Sequence, residues 1–459
     1  MCDRVFALAL SFVTEKNNMF AILSNRTYRH LLAAQVIALI GTGLATVALG
    51  LLAFELAGKN AGLVLGTALA IKMIAYVGVA PVAAAFAGHL PRRTLLVTLD
   101  LVRAGVAILL PFVSQIWQIY ALIFVLQAAS AAFTPTFQAT IPDVLPLEDD
   151  YTRALSLSRL AYDMESLVSP VLAAALLSVM GFHNLFAATA VGFVASAALV
   201  VSVVLPGHPL PQHRSVYDRT TRGLWIYLAT PRLRGLFAVN AAVAAAGSMV
   251  FVNTVVLIQG SMGLTQGAVA LALACFGAGS MFAALVLPSL LGKLTDRSVM
   301  LGGIALLVAG LFAGMAVTGH VPLMALWFVL GLGYAIAQTP SGRLLRRSST
   351  PQDRPALFAA QFALAHVSWL VFYPLAGWLG SRFGMPVTFA VLGTAAAMAV
   401  GAAFKVWPSL DPDVIEHEHC GLPVGHPHTS GISDPGQGVR HSHAFVVDDD
   451  HSHWPRGGQ

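Results

Sequence analysis

The sequence predicts an all-α membrane protein, with twelve transmembrane helices arranged as two six-helix repeats. Composition is the first sign: of 459 residues, 57% are hydrophobic and only 10% charged, whereas a soluble domain carries about 25% charged residues. Length is the second, because the apolar runs recur near the ~20 residues an α-helix needs to cross a hydrocarbon core about 30 Å thick. The third is repetition. Landmarks in the first half of the chain return in the second at a nearly constant offset.

Apolar windows place spans near 31–54, 61–87, 94–113, 117–139, 154–180 and 184–205, then 235–259, 267–291, 299–318, 322–342, 356–380 and 386–406. The chain thus divides into a segment 1–30, a half 31–205, a polar connection 206–234, a second half 235–406 and a tail 407–459. The run "VFALALSFV" near the start resembles the apolar core of a signal peptide. One Arg precedes it and no small-residue cleavage site follows, so residues 1–18 read as an upstream start, with Met19 as the natural one. With both ends inside, 21 Lys and Arg fall in cytoplasmic segments, and two, Lys59 and Arg382, fall in external loops. The positive-inside rule therefore predicts cytoplasmic termini in a multi-pass protein of a plasma or bacterial inner membrane. The net charge of +5 reflects these loops and implies no nucleic-acid partner. Cys2, Cys275 and Cys420 form no paired pattern.

"GHLPRR" from Gly88 matches "GKLTDR" from Gly292, a shift of 204 residues. Thr134-Pro135 returns as Thr339-Pro340 at a shift of 205, and Ser169-Pro170 as Tyr373-Pro374 at 204. Four landmarks at one offset describe parallel repeats, an arrangement in which a substrate site lies between the halves near the bilayer midplane. These halves, the central basic connection and the loop G-x-L-x-D-R at Gly292 to Arg297 resemble the major facilitator superfamily. "ESLVSPVLAA" from Glu165 is similar to the Gly-Pro motif that exporters of that superfamily carry on helix 5, with Ser169 where Gly is usual. "GHLPRR" lacks the Asp that Asp296 supplies in the second half. "NRTYRHLLAAQVIALIGTGLATVALGLLAFEL", together with the tail, resembles the nickel-resistance exporter branch.

Ionisable groups inside a span cost at least ~2.5–3.5 kcal/mol each on insertion scales, so each requires a reason. Asp100 and Arg103, at i and i+3, can pair and lock helix ends, with Lys72 either joining Asp100 or extending to the interface. The fifth span holds Arg159, Asp163 and Glu165. Arg159 and Asp163 at i and i+4 can satisfy each other, but Glu165 lies about 200° around the helix from Asp163 and cannot share that face. A carboxylate out of water has its ionised form disfavoured, so it can take up a proton near neutral pH, and an arriving cation drives the proton off. Either Asp163 or Glu165 is a candidate for that exchange. His366 in the eleventh span is the counterpart of Tyr162 at the 204 offset, which puts it at the depth of Asp163. Asn240, Asn253 and Gln361 offer neutral ligands or ties between helices, and Pro170 and Pro374 free backbone carbonyls beside them. Asp296 and Arg297 belong, with Lys72, Asp100, Arg103 and Arg159, to a gating or charge network.

The tail is rich in Pro, Gly, Ser, His and acids and is expected to be disordered. Its histidines fall in four H-x-H pairs, His417/His419, His426/His428, His441/His443 and His451/His453. In extended chain, residues i and i+2 share a side, roughly 7 Å apart, so each pair is a bidentate grip for an ion that imidazole binds at ~2.0–2.1 Å. Nitrogen and oxygen donors without a thiol cluster suit Ni²⁺, Co²⁺, Cu²⁺ or Zn²⁺ better than Cu⁺. The expected function is secondary export of divalent metal cations, nickel foremost and cobalt next, by proton antiport in a monomer without cofactor. The alternative is export of organic compounds or metal-chelating small molecules. Neither G-x-x-x-x-G-K-[ST] nor H-E-x-x-H occurs, and no enzyme activity is expected.

Overall fold

The computed structural model describes residues 19–57, 61–87, 90–206, 216–412, 414–419, 439–451 and 453–455. The expectation for residues 1–18 and the pair His426/His428 lie outside them. In the first half the helices are α1 (Arg26–Ala57), α2 (Ala61–Ala87), α3 (Arg92–Leu109), α4 (Ile116–Val144), α5 (Glu148–Leu177) and α6 (His183–Val201). After α7 (Val216–Ala229) come α8 (Pro231–Val255), α9 (Gln266–Leu291), α10 (Asp296–Gly314), α11 (His320–Gln338), the short α12 (Ser341–Arg347), α13 (Arg354–Phe383) and α14 (Met385–Val406). Lipid offers no partner to a free peptide group, so each crossing segment closes its hydrogen bonds on itself.

Among the described residues ten helices are long and apolar enough to cross a membrane, and Ala70–Phe86 within α2 is a shorter apolar stretch. The helix α5 is not among them. It carries Arg159, Asp163 and Glu165 along its middle, and the candidate site lies there.

The internal repeat is visible in which helices pack together. In the first half α1 packs on α5 and α6, α2 on α4, and α3 on α4 and α6; in the second, α8 packs on α13 and α14, α9 on α11, and α10 on α11 and α14. These are the same pairings shifted by one half. Across the seam α2 meets α13 and α5 meets α9, again a symmetric pair.

Small residues allow the closest of these approaches. On α9 a Cβ added to Gly279 would stand 2.0 Å from the Phe328 carbonyl oxygen, and on α11 one at Gly331 would stand 1.9 Å from that of Phe276. No side chain fits between these backbones, so van der Waals contact replaces the hydrophobic force that lipid cannot provide between helices.

Two segments depart from the sequence reading. The connection 206–234 contains a helix, α7, because "LWIYLA" follows a polar first turn and buries Ile226 and Tyr227 fully. Gly223 lets α7 lie against the start of α13, where a Cβ would fall 2.0 Å from the Ala356 oxygen. The tail, expected to be disordered, has structure in its described parts. Strands β1 (Val414–His419) and β2 (Val439–Ala444) pair antiparallel, and Phe445 and Val447 are buried in the core of the second half. The polar composition conceals a short apolar anchor, "AFVV", whose burial offsets the entropy of ordering the chain.

The Gly279–Gly331 crossing gives a testable outcome. Gly331→Leu should lower the thermal midpoint and the yield of monodisperse protein, since overpacking costs ~1–3 kcal/mol or more. Gly302→Leu on α10, where an added Cβ meets nothing within 4 Å, should be tolerated. Melting curves read by size-exclusion fluorescence compare the two.

Candidate functional site

The seam between the halves holds three layers of polar chemistry, beginning at the end of the bundle that carries the basic loops. Asp143, at the end of α4, accepts from Arg92 of its own half and from Arg354 of the other. Asp296 accepts from Arg343 Nε at 2.8 Å and from Arg347 Nη1 at 3.1 Å. Arg343 then crosses the seam to Glu148 and Thr152 on α5, and Arg346 donates to the Pro146 carbonyl. The 204 offset equates Arg92 with Asp296 and Asp143 with Arg347. Each half therefore carries the same ion pair with its signs exchanged, so the missing Asp of "GHLPRR" is a reversal of the pair and not its loss.

The second layer centres on Arg159. Its Nε donates to Asp163 Oδ2 at 3.2 Å and to Ser280 Oγ of α9 at 2.9 Å. Its guanidinium carbon lies 4.7 Å from the ring centre of Tyr334 on α11, a cation–π contact with the other half. Asp163 is thus the partner of Arg159, and the structure does not bring it to His366.

The third layer is a chamber formed by α2, α5 and α13. The His366 ring meets Tyr76 edge-on, with centroids 4.7 Å apart, and tilts over Phe362 at 4.3 Å. The Lys72 ammonium is 5.4 Å from the Tyr76 centroid and is the charged group that acts on both Glu165 and His366. Tyr162 is hydrogen-bonded to Gln35 and Gln138. Nδ1 of His366 lies 2.7 Å from the Phe362 carbonyl. A carbonyl only accepts, so Nδ1 carries the proton and the neutral ring keeps its lone pair on Nε2. Glu165 is half-buried beside Gly43 of α1 and has neither a hydrogen-bond nor an ion-pair partner among the described residues.

Other predicted site residues serve as ties. Asp100 pairs with Arg103 and accepts from Ser196 at 2.8 Å. The Arg103 guanidinium lies between Phe133 and Phe193, 4.1 and 4.5 Å from their centroids, so the pair braces α3, α4 and α6 within one half. Lys72 faces Glu165, not Asp100. Gln361 accepts from Tyr227 at 2.6 Å and from Asn240 at 3.2 Å, and Asn253 donates to the Ala376 carbonyl at 3.2 Å, so these amides fasten α8 to α13. Arg297 donates to the Trp407 carbonyl at 3.2 Å. In the tail, His443 and His451 lie ring to ring at 5.0 Å, and His453 is exposed. The pair 417/419 and position 441 lie on the two strands. No group of three or more His, Cys, Asp or Glu side chains poised for a metal ion occurs among the described residues.

The sequence reading missed Tyr76 and Ser280. The 204 offset pairs them, each being the seam residue on the second helix of its half, so the repeat itself was the signal.

Two repeats of six helices, joined by ion pairs at one end and enclosing a polar chamber midway, define a solute carrier. The profile of the Major Facilitator Superfamily matches residues 31–251 and 236–419. The chain belongs to that family. It is 24% identical over 378 residues to an uncharacterised transporter of the family, YfiS of Bacillus subtilis (strain 168), covering 79% of this chain and 89% of the relative. Among solved structures it resembles the human organic anion transporter TETRAN, with TM-score 0.70, 11% identity, and 82% and 99% of the two chains covered. A bacterial homologue of the iron transporter ferroportin in its outward-facing state gives TM-score 0.70, 14% identity and 83% and 98% coverage. The E. coli fucose:proton symporter gives 0.66, 13% and 83% and 98%.

The Arg159–Asp163 pair is open to a direct check. Asp163→Leu alone leaves a buried guanidinium without its carboxylate, a loss of ~3–5 kcal/mol for a broken buried pair. The double change Arg159→Met with Asp163→Leu should recover most of that stability in nanodisc melts. A double variant as unstable as the single would show that Asp163 has work beyond holding Arg159.

Proposed function

We propose that the chain is a secondary exporter of divalent metal cations, nickel foremost and cobalt next, that exchanges the cation for protons. The carrying observation is the Glu165 carboxylate, which has no partner among the described residues and shares the Lys72 field with the Nε2 lone pair of His366 across the seam. A carboxylate and a neutral imidazole make a hard-to-borderline donor pair suited to Ni²⁺, Co²⁺ or Zn²⁺. Glu165 releases its proton to make way for the cation, and Lys72 opposes retention of that cation, so the site binds and lets go. On this reading the basic end, with both termini, faces the cytoplasm, and its inter-half ion pairs hold that side shut. The seam then opens outward.

The second reading, export of an organic compound, is favoured by Lys72 together with the aromatic rings of Tyr76 and Phe362, which suit an anionic or zwitterionic solute with an apolar body. Structural likeness does not choose between the readings, because one fold serves iron and organic anions among the neighbours.

Transport by proteoliposomes loaded with Ni²⁺, Co²⁺ or Zn²⁺ at two pH values tests the proposal. The wild type should move at least one of them against a proton gradient. His366→Ala should weaken apparent affinity ~10-fold or more, the equivalent of ~1.4 kcal/mol, and Glu165→Gln should flatten the pH dependence. Transport of none of the metals, with a proton-driven flux of an organic anion, would replace the first reading with the second.

A further inference from the structure

The docked part of the tail juxtaposes histidines that the sequence separates. The register sets Ile415 opposite His443, His417 opposite His441 and His419 opposite Val439. Paired positions and their i±2 neighbours lie on one face of a hairpin, so positions 417, 419, 441 and 443, all histidine, share that face. Directly opposed positions stand ~4.5–5.5 Å apart at Cβ, closer than the i, i+2 spacing within either strand.

Beyond β2 the chain doubles back. Asp448 N donates to the His451 carbonyl at 3.1 Å, and Asp448 Oδ1 accepts from the backbone of Asp450 at 3.0 Å and of His451 at 2.8 Å. This turn lays the His451 ring edge-on against His443, 5.0 Å between centroids, and against Phe445 at 4.7 Å. The same Asp448 oxygen is 2.8 Å from His451 Nδ1. A carboxylate that takes the Nδ1 proton in a hydrogen bond fixes the tautomer, turns Nε2 into the ligating nitrogen and raises its basicity, which is the outer-shell arrangement of metal-binding histidines. His443 Nδ1, 2.8 Å from the Ala444 carbonyl, is held in the same tautomer.

The turn is fastened to the body of the protein. Phe445 and Val447 are buried in the second half's core. Arg222 of α7 bonds Asp449 at 3.0 Å, and the Arg232 guanidinium lies over the Trp454 ring at 4.8 Å while pairing with Asp411 at 3.2 Å. The imidazoles therefore stand on a surface provided by α7 and α8.

We propose that the docked tail is a divalent-cation site, with His443 and His451 as ligands, His441 and His417 on the adjoining face as the further ones, and Asp448 as the positioning carboxylate. Docking and binding are coupled: the body holds the turn that presents His451, and the cation in turn ties the turn to β1 and β2. By linkage each strengthens the other by the same factor. The site stands on the tail's own geometry and does not depend on which solute crosses the bundle.

Equilibrium binding of NiCl₂ to the full-length protein in nanodiscs, without a transport step, tests the proposal. The double variant His443→Ala with His451→Ala should lose the tightest Ni²⁺ site, and Asp448→Asn should weaken it ~10- to 100-fold, as changes to outer-shell partners of metal histidines do. Trp454→Ala, which removes no ligand, should weaken it several-fold by loosening the dock, while His426→Ala with His428→Ala should leave it unchanged. Ni²⁺ should also raise the thermal midpoint of the wild type and not of the His443/His451 variant. Wild-type affinity in that variant, or in both Asp448→Asn and Trp454→Ala, would overturn the proposal and return the tail to a loose chain of independent grips. A protein that binds Ni²⁺ as stated yet transports no metal would leave this site standing and remove only the export reading.

Discussion

A guanidinium placed inside an apolar bundle must be matched, because an unpartnered buried charge costs more than any single packing contact returns. In this protein the matching is done largely across the seam. Arg159 reaches Ser280 and Tyr334, Arg354 reaches Asp143, and Arg343 reaches Glu148 and Thr152. The arginines that set the position of one half against the other are thus the same groups that each half cannot satisfy by itself. Removal of the facing half would leave them in lipid or water, so the relative position of the halves follows from charge satisfaction as much as from helix packing.

That constraint explains which residues remain for chemistry. Asp100 and Arg103 satisfy each other inside the first half, Asn240 and Gln361 close on one another, and Asn253 is bound to a backbone carbonyl. Asp163 is taken by Arg159. Among the acids and imidazoles predicted within the spans, Glu165 and His366 are left with open donor atoms, and they come from opposite halves. An amide or a carboxylate in a span is evidence of a site only after its structural partners have been subtracted.

The architecture was legible in the sequence because bilayer thickness fixes helix length, and the 204 offset fixes the correspondence of the halves. The same offset contained the Tyr76–Ser280 relation and the reversed ion pair. Side-chain partnership was less legible. Asp163 and Glu165 are two residues apart, and periodicity shows that they face different ways without showing which faces Arg159's other partners. Lys72 was read toward Asp100, since span order says little about which helices meet at a given depth. The tail was misread because composition averages over 53 residues, whereas docking depends on the four of "AFVV", a nearby Trp454 and two arginines on α7 and α8.

The reversal of the ion pair follows from duplication under the same constraint. Two identical halves facing each other would set arginine against arginine at the basic end. With Arg92–Asp143 in one half and Asp296–Arg347 in the other, the first half presents Asp143 and Glu148 to the seam and the second presents Arg343 and Arg354. The two crossings attract, and each is held in place by a partner in its own half, so opening the basic end breaks the inter-half bonds while leaving every arginine with a carboxylate. Buried ions are never stranded during the movement. The closed and open states therefore differ by the net worth of a few exposed or half-exposed ion pairs, of order 1 kcal/mol each, rather than by the full desolvation of a charge. A gap of that size lies within the ~5.5 kcal/mol that differential solute binding must supply to move a two-state carrier from one side to the other.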